Sequence, residues 1–188
     1  MIHLPLSLAI ATALLLGATD FRTGRMPNVI TLGSLAGALL VRFLVEGGGG
    51  LTSAILGLAV VVAGPAALFV LSRGNAIGGG DVKALAALGA WLGPSSGLEV
   101  ELGSLMLLAI YSLGKEAWHG RLLEMLKRSM QLLLPARMKF KSSRALGSIQ
   151  PGETASTLVR FGPFLAVGTL AHGLDRWASL ETLKVLLS

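Results

Sequence analysis

Two aspartates, Asp20 and Asp81, stand apart from the other acidic residues of the chain. Asp20 closes an apolar run and opens the stretch Asp20-Phe21-Arg22-Thr23-Gly24-Arg25-Met26-Pro27-Asn28. Asp81 follows Ile77-Gly78-Gly79-Gly80 and precedes Val82-Lys83, where a second apolar run begins. Two carboxyls within a few ångström of each other do not both ionise readily, so such a pair shares one proton. One member then acts as general base on a water, and the other donates a proton to a carbonyl oxygen or a leaving amine. Peptide hydrolysis by that route requires no metal and no covalent intermediate. Each aspartate also has a purely structural reading. Asp20 balances Arg22 in a turn made by Gly24 and Pro27, with Asn28 placed to cap the next helix. Asp81 caps the helix that follows it. A cap does not explain three successive glycines, which admit close backbone approach and positive φ angles.

The remaining inventory is restrictive. The chain has no cysteine, which removes disulfides, thiolate nucleophiles and Cys-based zinc sites. His3, His119 and His172 are scattered, without H-E-x-x-H spacing, so neither a histidine metal site nor a Ser–His–Asp set is expected. The glycine run lacks the G-x-x-x-x-G-K-[ST] pattern of a phosphate loop. No cofactor is implied.

The elements that must position the two aspartates read as membrane helices. Hydrophobic residues make up 53% of the chain and charged residues 14%, against about 25% charged in ordinary soluble domains. The mean hydropathy is +0.72. Apolar blocks near the length of a membrane helix fall at about residues 3–19, 29–46, 51–72, 82–93, 102–118 and 158–174. The expected fold class is therefore all-α: a polytopic membrane bundle of about six transmembrane helices, one domain over residues 1–188, with a long basic cytoplasmic loop at 119–157. The first block lacks a basic leader and a small-residue cleavage site, so it reads as a retained helix and not a signal peptide. Gly47 to Gly50 marks a turn between the second and third blocks. The fourth block is short, which suggests a helix start recessed below the membrane surface beside Asp81. Within the loop, Leu122, Leu123, Leu126, Met130 and Leu133 fall at helical spacing among basic residues, as in a helix lying on an anionic bilayer surface. The tail from Trp177 is expected to sit at the interface.

Charge placement orients the bundle. With the N-terminus outside, nearly all Lys and Arg fall on the inner side, and only Arg42, Arg176 and Lys184 lie outside. The net charge of +6 thus reads as membrane topology and not as a nucleic-acid surface. Asp20 and Asp81 both fall on the cytoplasmic side, whereas Glu46, Glu99, Glu101, Asp175 and Glu181 fall in outer turns or the tail. Ionisable residues at membrane helices are functional candidates.

The segment Asp20 to Asn28 resembles the D-x6-P-N segment of type IV prepilin peptidases. Gly78-Gly79-Gly80-Asp81-Val82-Lys83 is similar to their G-x-G-D-x-K motif, and Arg160-Phe161-Gly162-Pro163-Phe164-Leu165-Ala166 looks like their F-G-P-F-L-A segment. The three occur in the family's order. The resemblance implies an inner-membrane aspartic endopeptidase, active site facing the cytoplasm, that removes the short basic leader from prepilin-like proteins. By match, Asp20 and Asp81 would be catalytic, with Gly78, Gly80, Lys83, Asn28, Arg22 and Arg25 in support. Met26 stands where Ile is usual. The paired cysteines that larger members carry in an N-terminal region linked to N-methylation are absent, so cleavage without methylation is expected. The implied partners are a prepilin or pseudopilin helix and the lipid bilayer; Gly33 and Gly37 give a G-x-x-x-G suited to close helix approach, by a substrate or by the enzyme's own helices. Other readings are a different G-x-G-D membrane protease, a proton-coupled transporter with the two aspartates as carriers, and a non-catalytic assembly factor.

Overall fold

The computed structural model describes residues 3–72, 77–120 and 160–187. These form five helices: α1 (His3–Thr23), α2 (Asn28–Leu71), α3 (Gly79–Leu92), α4 (Pro94–Trp118) and α5 (Gly162–Leu187). Three of them, α1, α2 and α4, are long and apolar enough to cross a membrane. The chain divides into two units, Met1–Leu107 with Arg160–Ser188, and Leu108–Val159. Of the second unit the described part is the end of α4, which stops where the His119 amide donates to the Lys115 carbonyl at 3.2 Å and Gly120 takes φ 69°. The expected surface helix and most of the 119–157 loop lie outside the described residues.

At 44 residues, α2 would run about 66 Å if straight, roughly twice a hydrocarbon core. It is not straight. Gly47 takes φ 65° and ψ −150°, a conformation that a residue with a side chain rarely adopts. The two arms on either side are the expected blocks 29–46 and 51–72. Both pack against α3 and run in opposite senses along it. On the first arm Asn28 meets Lys83, Ser34 meets Trp91, and Arg42 meets the Trp91 carbonyl. On the second, Phe69 lies beside Gly79, Val61 beside Gly89, and Gly57 against the backbone of Gly89 and Gly93. The short α3 is thus enclosed, with Ala84, Leu85, Ala87, Leu88, Ala90 and Trp91 buried.

Packing of α1 on α5 relies on small residues. A Cβ on Gly17 would stand 2.9 Å from the Ala166 Cβ, and one on Gly173 would stand 2.7 Å from the Ile10 Cδ1. Inside the first unit a polar chain ties three elements together: Trp91 Nε1 donates to Ser34 Oγ at 2.8 Å, and Ser34 shares a 2.9 Å hydrogen bond with Thr12. Outward-facing positions are strongly apolar. Leu15, Val29, Leu44, Leu56, Val70, Leu102 and Met106 are all exposed, a surface suited to lipid and not to water.

Three expectations need correction. Residues 94–101, expected as an outer turn, are helical. Gly93 at φ 80° reverses the chain, and Pro94, with no N–H to leave unsatisfied and φ already near the helical value, starts α4 at once. Glu99 and Glu101 therefore lie on a helix, and Glu101 is buried. The tail from Trp177 is not a separate segment: α5 continues through it to Leu187. Gly78, Gly79 and Gly80 do not use positive φ, which among the described residues occurs only at Gly24, Gly47, Gly93 and Gly120.

Candidate active site

Asp20 reaches the interior because it falls in register with the buried face of α1. Ala9, Ala13 and Leu16 are fully buried and recur at helical spacing, and Asp20 continues that line in the last turns, 7% exposed. The helix ends just beyond it. The Gly24 amide donates to the Asp20 carbonyl at 2.8 Å with φ 64°, a left-handed C-terminal glycine.

Asp81 occupies the first turn of α3. Gly78 precedes the helix in an extended conformation, φ −75° and ψ 144°, and its amide donates to Asp81 Oδ2 at 3.3 Å. The carboxylate of Asp81 thus reaches back to the helix start instead of capping from before it, three positions later than the capping reading assumed. The glycines matter through space. A Cβ on Gly78 would lie 3.1 Å from Asp81 Oδ2, and one on Gly80 would lie 3.3 Å from the Cβ of Met26. That second contact brings the Asp81 turn against the turn that follows Asp20. At Gly79 a Cβ would meet Phe69 at 3.6 Å, an ordinary contact.

The two carboxyls are electrostatically linked. Asp81 lies outside the three membrane-crossing helices. Burial pushes its carboxyl from the ordinary 3.8 up to about 6; the Gly78 amide acts against this, and the negative charge of Asp20 adds to it. Burial and the nearby negative charge of Asp20 therefore act in the same direction, and burial is the larger cause.

The other motif residues divide. Lys83 Nζ donates to Asn28 Oδ1 at 2.9 Å, joining the second motif to the first across α3 and α2. Asn28 consequently does not cap α2: Pro27 holds the cap position, without a side-chain hydrogen bond. Arg22 and Arg25 are exposed, and among the described residues neither side chain makes a hydrogen bond or an ion pair. Of the G-x-x-x-G pair, Gly37 faces Trp91 at 3.7 Å, an internal contact, whereas Gly33 has open space.

Two residues of the site were absent from the sequence-based set. The Gly162 amide donates to Asp20 Oδ2 at 3.0 Å, and a Cβ there would stand 2.7 Å from the Asp20 Cβ and 2.8 Å from Oδ2. Arg160 donates to the Phe21 carbonyl and lies over Gly24. Their signal was present in the Arg160–Ala166 segment, which was legible as a motif but not as a partner of Asp20. Among the described residues no group of His, Cys, Asp and Glu converges as a metal site.

No curated protein and no solved structure matches the chain. The sequence model of the type IV leader peptidase family matches residues 7–113, more than half of the chain and a span that holds Asp20, Asn28, Asp81 and Lys83 but not the Arg160–Ala166 segment. The chain belongs to the type IV leader peptidase family and is a membrane-associated protease of the aspartic type.

Proposed function

We propose that the chain is an inner-membrane endopeptidase that cleaves the short basic leader of prepilin-like proteins at the cytoplasmic face, with Asp20 and Asp81 as its catalytic pair. The single observation that carries this reading is that the turn bearing Asp81 rests on the turn that follows Asp20, where a Cβ on Gly80 would lie 3.3 Å from the Met26 Cβ. Burial raises the Asp81 carboxyl to about 6, so it keeps its proton to higher pH than an ordinary aspartate, as the acid of an acid–base pair requires.

In the proposed reaction Asp81 serves as the acid and Asp20 as the base. Asp20 takes a proton from water as the water oxygen bonds to the scissile carbonyl carbon, and Asp81 gives its proton to the carbonyl oxygen. Asp20 then passes its proton to the amide nitrogen, the C–N bond breaks, and a hydroxyl of the tetrahedral intermediate returns a proton to Asp81. The Gly162 and Gly78 amides hold the two carboxylates in orientation. Lys83 and Asn28 brace the turns that carry them. The cytoplasmic orientation rests on the placement of Lys and Arg.

Co-expression with a candidate prepilin tests the reading. Wild type is expected to remove the leader, and Asp20→Asn and Asp81→Asn to accumulate uncut precursor while still residing in the membrane. Normal processing by both variants would refute the pair.

A further inference from the structure

The other end of the same helices holds a cavity of mixed polar and apolar lining that peptide hydrolysis does not use. Its volume is about 250 Å³, and its wall includes Arg42, Glu46, Trp91, Ser96, His172 and Arg176. Leu6 also lines it, which puts it roughly 21 Å along α1 from Asp20 at 1.5 Å per residue. In the orientation set by Lys and Arg placement, this end faces outward.

The charges here are mixed. Arg42 is 11% exposed; its Nη2 donates to Glu46 at 2.9 Å and its Nη1 to the Trp91 carbonyl at 3.0 Å. Its Nε is buried and has no partner. A buried guanidinium donor left unpaired is unfavourable, and here it belongs to a residue on the cavity wall. Arg176 contributes a second, exposed guanidinium; among the described residues it makes one long hydrogen bond, of 3.4 Å to Ser96, for its five donors. His172 is engaged by Glu99 at 3.2 Å. The cavity wall therefore carries two guanidiniums, of which that of Arg176 is held by one long hydrogen bond, and one carboxylate, Glu46.

That set discriminates among occupants. A metal ion is repelled by two guanidiniums. A purely anionic group matches the arginines but meets the Glu46 carboxylate. A peptide helix exceeds the volume. A zwitterion that carries a phosphate and a primary ammonium matches both signs, with the phosphate on the guanidiniums, which bind it through several donors, and the ammonium on Glu46. Lipid is the neighbouring phase: α1, α2 and α4 expose apolar side chains along their length. Trp177, beside Arg176, is 58% exposed, as suits a tryptophan at headgroup level.

We propose that this cavity binds the phosphoethanolamine headgroup of a membrane phospholipid. The proposal rests on the membrane reading of the chain and is independent of the aspartate chemistry, so failure of either leaves the other standing.

The test uses the full chain, purified from mixed vesicles of phosphatidylethanolamine, phosphatidylglycerol and phosphatidylcholine, with retained lipid read by native mass spectrometry. Wild type is expected to retain the ethanolamine lipid about tenfold over either other lipid, the ratio that one charge-assisted contact supports. Arg176→Gln is expected to lose retention of both phosphatidylethanolamine and phosphatidylglycerol. Glu46→Gln is expected to reverse the preference toward phosphatidylglycerol, a change of selectivity that general loosening of the fold would not produce. A melting curve of each variant in detergent, without lipid, separates a folding defect from a binding one. Equal retention of the three lipids by wild type, undiminished retention by folded Arg176→Gln, or an unchanged preference in folded Glu46→Gln overturns the proposal. Displacement of the lipid by soluble phosphoethanolamine at equal concentration overturns the lipid as the source of the headgroup.

Discussion

The two ends of the helical bundle treat ionisable groups in opposite ways. At one end Asp20 and Asp81 carry the same sign, and the hydrogen-bond donors that reach their carboxylates are backbone amides, those of Gly162 and Gly78. At the other, Arg42 is bound to Glu46, so opposite charges compensate each other, and His172 lies 3.2 Å from Glu99. The buried Asp81 carboxyl, raised to about 6, instead ionises closer to neutrality than an ordinary aspartate, as suits acid–base catalysis. The contrast is what the proposed chemistry at one end and the proposed recognition at the other would each require.

The strongest way to break this contrast is to remove a proton carrier. Asp20→Asn and Asp81→Asn are each expected to lower leader cleavage by about 10³-fold or more, within the range for loss of a general acid or base, as read by precursor accumulation. Next is displacement without loss. Gly162→Ala places a methyl group against the Asp20 carboxylate and is expected to reduce kcat about 10²-fold, the consequence of shifting a reacting group by about 1 Å. Gly79→Ala, whose methyl group meets Phe69 at ordinary contact distance, is expected to cleave at close to the wild-type rate. Equal activity of the two alanine variants would show that the Gly162 contact does not position Asp20.

The pH dependence sharpens the comparison. If Asp81 must hold the proton, kcat/KM falls tenfold per pH unit above about 6, where Asp81 ionises; a profile flat from pH 5 to 8 would assign the proton elsewhere. At the opposite end, Arg42→Gln leaves the partly buried Glu46 without its cation. It is expected to lower stability by about 1–3 kcal/mol, measured by thermal melting in detergent at pH 7. The smallest expected effect concerns stability at the aspartate end. A carboxyl whose pKa is higher in the folded protein than in the unfolded chain binds more protons when folded. Its ionisation therefore opposes folding above about 6, and the penalty fades as pH falls toward 3.8. Asp81→Asn is expected to raise the melting temperature at pH 8 and to leave it unchanged near pH 4; the reverse order would contradict a buried acid.

The contrast between the ends was only half legible in advance. The aspartate end could be read because its signals are contiguous: an acid at the end of an apolar run, and a glycine run ahead of a second acid. The break in α2 was legible for the same reason, since four successive glycines at Gly47 to Gly50 interrupt an apolar block. The cavity end gave no such signal. Arg42, Glu46, Ser96, His172 and Arg176 are spread over three helices, and their types suggested only outer turns and interface residues.

Composition and block length determined that the chain is helical and apolar, and local sequence singled out Asp20 and Asp81, because hydropathy and turn chemistry are properties of neighbouring residues. Tertiary structure alone decided that Gly162 donates to Asp20 across 142 positions, that Lys83 takes the side chain expected to cap α2, and that Glu101 is buried. Each of these depends on which helix faces rest against one another. That choice follows from the packing of small and large side chains across the whole bundle, which no single segment encodes.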